Sequence, residues 1–194
     1  MLLLLIVRTA LVALAGACLG LLATGSALER GVSFETVEAG PWRAAPRAAL
    51  VDADPYTRAG RARSGEVAMA PAEGLAFFAS VDETGAPLDA RCDYAIAGPT
   101  PPARFWTLTP LDAKGRLTAL PNERPALTSA QIVRDERGRF EIVASRHARA
   151  GNWLALPREG AFMLALRLYD TPASAQPASA GRAAMPGLRR GECA

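Results

Sequence analysis

Three copies of one turn constrain this chain more than any other feature. Asp82-Glu-Thr-Gly85, Asp112-Ala-Lys-Gly115 and Asp135-Glu-Arg-Gly138 each place aspartate first and glycine fourth. An aspartate in that position bonds its own backbone two residues on, and the glycine takes positive φ without strain. Strand-like residues flank every copy, so the recurrence predicts hairpins and an antiparallel sheet.

The flanking segments alternate with period two. Phe162, Leu164, Leu166 and Leu168 share one face; Met163, Ala165, Arg167 and Tyr169 share the other. Phe140, Ile142 and Ala144 oppose Arg139, Glu141 and Val143, and Cys92, Tyr94 and Ile96 oppose Arg91 and Asp93. Such alternation marks half-buried strands. Gly40-Pro-Trp-Arg43 reads as a turn into the ordered region. Asp54-Pro55 is a helix start, with Asp54 accepting from first-turn N–H groups and Pro55 at the first helical position, so a short helix to about Arg63 follows. Residues 72–80 fit either a helical turn or a strand. The Ala/Ser/Pro-rich residues 171–194 lack periodicity and read as a flexible tail.

Ahead of this β-domain lies an apolar run. Leu2 to Ala23 carry one charge, Arg8, and Thr9 to Leu28 carry none. Twenty-two helical residues reach about 33 Å, against a hydrocarbon core of about 30 Å. The run exceeds the apolar region of a typical secretory signal. Three readings compete: a retained single-pass anchor over residues 1–28, a secretory signal cut near Gly25-Ser26-Ala27, and a lipid-modified Cys18. The anchor is the reading adopted, with residues 29–39 as linker and 40–170 as the folded domain. Arg8 on the N-terminal side favours a cytoplasmic start, which places the bulk of the chain in the periplasm at the inner membrane.

Cys92 and Cys193 lie outside the apolar run, in no zinc-like spacing. In an exported domain they can pair and pin the C-terminus to the fold; two independent thiols are the alternative. The net charge of +3 is almost wholly arginine on its positive side, since Lys114 is the single lysine. No basic cluster is interleaved with aromatics, so nucleic acid is not an expected partner.

The motifs of common chemistries are missing. His147 is the sole histidine, which excludes a multi-histidine metal site, and no nucleophile elbow, dinucleotide fingerprint or phosphate loop occurs. No catalytic residue, metal or cofactor is therefore expected. The residues worth following as binding candidates are Arg104, Trp106, Arg124, Trp153 and Arg167. An arginine in an apolar strand needs a carboxylate partner or an anionic ligand.

Taken in order, several short elements resemble the bacterial domain of unknown function 1214 family in its short, membrane-anchored form. They are Gly40-Pro-Trp-Arg43, Asp54-Pro-Tyr-Thr-Arg-Ala59, Cys92-Asp-Tyr94, Pro102-Ala-Arg-Phe-Trp-Thr-Leu-Thr109, Asp112-Ala-Lys-Gly115, Asn152-Trp-Leu154 with Pro157, and Leu166-Arg-Leu-Tyr169. Pro110 and Glu123-Arg124-Pro125 depart from the family pattern. The resemblance implies an antiparallel, jelly-roll-like β-sandwich with one short helix behind the transmembrane helix. It also implies a companion protein of the 1254 family as a partner, because relatives carry the two domains fused. No activity transfers with it. The expected function is a periplasm-facing binding or assembly module of the cell envelope. The alternative is an enzyme acting on an envelope carbohydrate or lipid, with Asp93, Arg104, Arg124 and Arg167 converging on one pocket.

Overall fold

The alternation at Phe162–Tyr169 builds the strand around which the molecule is organised. In the computed structural model, which describes residues 1–29, 36–65, 67–118, 124–175, 181–182 and 184–193, this strand is β9. The elements before it are α1 (Leu2–Glu29), β1 (Val37–Ala39), β2 (Trp42–Ala44), α2 (Pro55–Ser64), β3 (Gly74–Ala79), β4 (Cys92–Ala97), β5 (Phe105–Asp112), β6 (Leu127–Thr128), β7 (Glu141–Ser145) and β8 (Asn152–Ala155). After it come α3 (Pro172–Ala175) and β10 (Gly187–Cys193). Residues 72–80, ambiguous by pattern, resolve as the strand β3.

Two sheets form. One has six strands in the order β1-β2-β3-β9-β5-β6, the other four in the order β10-β4-β7-β8. All neighbours pair antiparallel except β7 and β8. The predicted inward sets of both sheets meet in one core. Phe162, Leu164, Leu166 and Leu168 of the larger sheet face Tyr94, Ile96, Ile142 and Leu154 of the smaller. Tyr94 packs edge-on against Phe162 at 5.6 Å between ring centroids, and Trp106 meets Phe140 at 5.5 Å. Each such side chain gains about 1.5–3 kcal/mol from burial. The fold is thus a mainly β, two-sheet arrangement.

The three turns share one construction. The carboxylates of Asp82, Asp112 and Asp135 accept from the backbone N–H groups two and four residues on, and Gly85, Gly115 and Gly138 donate to the carbonyls of those aspartates. The hairpins they close are short. The Asp82 and Asp112 turns close on single bridges, Val81 with Pro87 and Leu111 with Leu117. The chain after the Asp82 turn then enters the opposite sheet, and so does the strand after the Asp135 turn. Burying both inner faces requires the chain to change layers, which a plain meander would not do.

The flexible-tail expectation for 171–194 is corrected. Residues 187–193 form β10, an edge strand on β4, and Cys193 is bonded to Cys92 across 101 residues. The indole N–H of Trp42 donates to the Pro186 carbonyl at 2.8 Å, which ties both ends of the domain together. The apolar alternation is short here because only Leu188 enters the core, so no pattern announces the strand. The domain accordingly extends beyond 40–170 at both ends, from β1 to β10. Residues 30–35 of the expected linker lie outside the described residues, as do 176–180, 183 and 194 of the expected tail.

The helix α1 is long and apolar enough to cross a membrane. Its leucines and valines from Leu2 to Leu22 are exposed, and the Thr9 hydroxyl is satisfied by the Leu5 and Ile6 carbonyls. Its last turn behaves differently: Gly25 to Leu28 are half-buried, and α1 touches α2.

Candidate functional site

The helix α2 begins where predicted. The Asp54 carboxylate accepts from the N–H groups of Tyr56 and Thr57, both at 3.0 Å, and Gly65 ends the helix in the left-handed conformation. The Thr57 hydroxyl, followed by these N–H groups, holds the Asp54 carboxyl below its ordinary value. Arg61 donates to the Ala48 carbonyl, which fastens the helix to the 45–50 turns.

Held this way, α2 overhangs the outer face of the six-stranded sheet and leaves a cleft of about 660 Å³. That size suits a small-molecule ligand. Its floor comes from the outward faces of two adjacent strands, Ala76 and Phe78 of β3 and Met163 of β9, with Arg43 of β2 at the edge beside Phe78. Tyr56, Met69 and the Ala113–Gly115 segment of the second aspartate turn contribute walls. Leu28 and Glu29, the end of α1, lie at the same opening. Four cations line the cleft, Arg43, Arg61, Arg63 and Lys114, against Glu29 as the lone carboxylate of its described lining. Arg43 pairs with Glu38 at 3.0 Å and Arg61 is held by Ala48, while Arg63 and Lys114 are exposed.

A more open depression of about 870 Å³ surrounds the third turn. Its main polar groups are engaged in local structure. Asp135 accepts from Arg137, and from both the N–H and the guanidinium of Arg139. The Asn152 amide bonds both backbone groups of Val133 and the Glu141 carbonyl.

The predicted binding residues do not assemble. Trp106 is buried in the core, and Trp153 donates to the Ser145 carbonyl at 2.9 Å on the smaller sheet. Arg104 and Arg124 are exposed, Arg124 next to the undescribed residues 119–123. Only Arg167 approaches the cleft floor: it is the cross-strand partner of Ala76, and its guanidinium lies 6.0 Å from the centroid of the Phe78 ring. The pocket required of the enzyme alternative is not formed, since Asp93 projects from the outer face of the four-stranded sheet and Arg167 from that of the six-stranded one.

Asp93 sits instead in a brace. Arg149 reaches it at 2.6 Å. Burial raises its pKa, but the Ser145 hydroxyl and then Arg149 outweigh burial and keep the carboxyl below its usual value. Ser145 is fully buried and accepts from the His147 backbone N–H, so this serine, histidine and aspartate stabilise a loop. No group of three or more metal-ligating side chains occurs among the described residues.

Sequence inspection missed the cleft because no single segment contains it. The available signal was α2 itself, whose Arg58, Arg61 and Arg63 have no acidic neighbour within the helix.

The family-like elements are now explained by structure: Asp54 caps a helix, Cys92 is bonded to Cys193, Tyr94, Trp106 and Leu154 fill the core, and Asn152 substitutes for a missing backbone partner. Among solved structures, the VPA0106 protein from Vibrio parahaemolyticus is similar in fold, with a TM-score of 0.60 and 22% identity over 91% of this chain. The chain spans only 44% of that protein's length. A Burkholderia cenocepacia protein of uncharacterised function matches 66% of the chain and 32% of its own, at 21% identity and a TM-score of 0.46. No curated protein matches the sequence. The family model described as protein of unknown function (DUF1214) matches residues 73–173, from β3 through the start of α3, and the chain belongs to that family.

Proposed function

We propose that this protein is a single-pass, inner-membrane-anchored binding module whose β-domain faces the periplasm and takes its ligand in the cleft beneath α2. The observation that carries the reading is the cleft's position: a ligand-sized, apolar-floored, cation-rimmed space opens beside the last turn of a helix able to cross a membrane. The Cys92–Cys193 bond supports an oxidising compartment. The carboxylates that might have served acid–base chemistry are instead committed to caps, turns and ion pairs. As an assembly partner in the envelope we name a protein of the 1254 family, on the ground that relatives carry both domains in one chain. Nucleic acid is not part of this reading.

The test has two arms. A phosphatase fused after Ala194 should be active in the periplasm; a fusion active only in the cytoplasm would reverse the topology. A thermal-shift screen of the full-length protein in detergent, against envelope glycans, metabolites and lipids, should find a compound that raises Tm with concentration. Its effect should vanish when Ala76→Trp fills the floor. A screen without any cleft-dependent stabiliser refutes the binding role.

A further inference from the structure

We propose that the ligand of the cleft is an acidic phospholipid of the membrane crossed by α1, its acyl chain on the sheet floor and its phosphate at the cationic rim. The inference rests on the binding-module reading and names the occupant of the same site.

Position comes first. The exposed apolar run of α1 ends at Leu22, Gly25 to Leu28 are half-buried, and Leu28 and Glu29 line the cleft. At about 5.4 Å per helical turn, a bilayer enclosing the apolar run ends within about two turns of the opening. The opening therefore lies at the level of the headgroup layer of that bilayer.

Chemistry agrees. Ala76, Phe78 and Met163 offer an apolar strip, with Met69 and Tyr56 beside it. Such a strip favours hydrocarbon and provides few hydrogen-bonding groups for a sugar. Around it, Arg63 and Lys114 are exposed, whereas Arg43 and Arg61 are oriented by Glu38 and the Ala48 carbonyl. Cations at a bilayer surface attract anionic headgroups, and arginine matches phosphate geometry. A zwitterionic lipid would bring its own cation into this rim.

The experiment uses full-length protein in nanodiscs of phosphatidylcholine and phosphatidylglycerol, either lipid carrying a photoreactive acyl chain. With labelled phosphatidylglycerol, peptides bearing Ala76–Phe78 or Met163 should be modified in addition to α1. The double variant Arg63→Ala, Lys114→Ala should cut floor labelling about tenfold while leaving α1 labelling unchanged. Both positions are exposed, so the fold is not at risk. Labelling confined to α1, equal floor labelling by phosphatidylcholine, or indifference to the double variant overturns the assignment. If the floor stays unlabelled while a non-lipid compound still stabilises the protein in an Ala76-dependent way, the lipid assignment fails and the binding-module reading survives. Failure of both measurements removes both.

Discussion

The Arg190 guanidinium donates to the Asp82 carboxylate at 2.8 Å, across 108 residues of chain. In the other two turns the aspartate receives an arginine from its own turn, Arg116 for Asp112 and Arg139 for Asp135. The corresponding place in the first turn is Ala86, and β10 supplies the cation instead. Asp82 is also the buried one of the three, its side chain 1% exposed. Arg190 further donates to the Pro87 carbonyl and lies 5.6 Å from the Tyr94 ring centroid.

Removing that cation strands a buried carboxylate. Arg190→Met should destabilise the domain by about 1.5–3 kcal/mol, the range for a hydrogen bond to a charged group. Asp82→Asn in the same background should recover part of the loss, because the remaining turn bonds need no charge. Urea unfolding of the two variants measures both; equal stability of Arg190→Met and the parent would deny the bridge its role.

The Cys92–Cys193 bond closes a loop of 101 residues. On the chain-entropy account, its removal through Cys193→Ser should cost about 4–5 kcal/mol. Hydrogen exchange should then show β10 losing protection before the six-stranded sheet does. Uniform loss of protection would mean that β10 is not the element held by the disulfide.

Gly74 starts β3 with φ of 154°, and a Cβ there would fall 1.9 Å from the Leu168 carbonyl oxygen. The obstacle is backbone of the central strand and cannot turn aside. Gly74→Ala should therefore cost about 3 kcal/mol or more and weaken β3–β9 pairing. Gly60→Ala, in open space on α2, should be neutral or slightly stabilising. Thermal denaturation of the pair separates the two cases.

Acid should unfold the domain through its turns. Asp112 and Asp135 are held below 3.8, first by the backbone N–H groups of Arg116 and Arg139. Asp89 is lowered to about 2, chiefly by the Arg91 guanidinium. For Asp82, burial works in the opposite direction and is outweighed by the Thr84 hydroxyl, the turn N–H groups and Arg190. Folded values below unfolded ones mean that the unfolded chain binds more protons between them, so stability present above 3.8 is lost as pH falls toward the folded values. The urea midpoint should stay flat near neutrality and fall between 3.8 and about 2. A variant carrying Asp112→Asn and Asp135→Asn should show a shallower fall. An unchanged slope would assign acid unfolding to other groups.

Much of the fold was legible because its determinants are local. Period-two alternation identified the inward faces of β4, β7 and β9. Asp54-Pro55 marked α2, and in each Asp-x-x-Gly turn the aspartate bonds to backbone groups of its own turn. Asn152 and Trp153 stood out as family-like elements, yet their partners, Val133 and Ser145, lie outside that motif, so their bracing roles were not readable. β10 was hidden for a related reason: its stability comes from β4, Asp82 and Cys92 rather than from its own pattern.

The sequence alone determined that an apolar helix precedes a β-domain, which faces of β4, β7 and β9 turn inward, and where three tight turns reverse the chain. These follow from side-chain direction and backbone freedom over a few residues. Tertiary structure alone decided which strands join which sheet, that Arg190 completes the Asp82 turn, and that α2, three outward strand faces and the end of α1 enclose a cation-rimmed cleft. Those relationships join residues far apart in the chain, and their energies exist only after the core has brought the segments together.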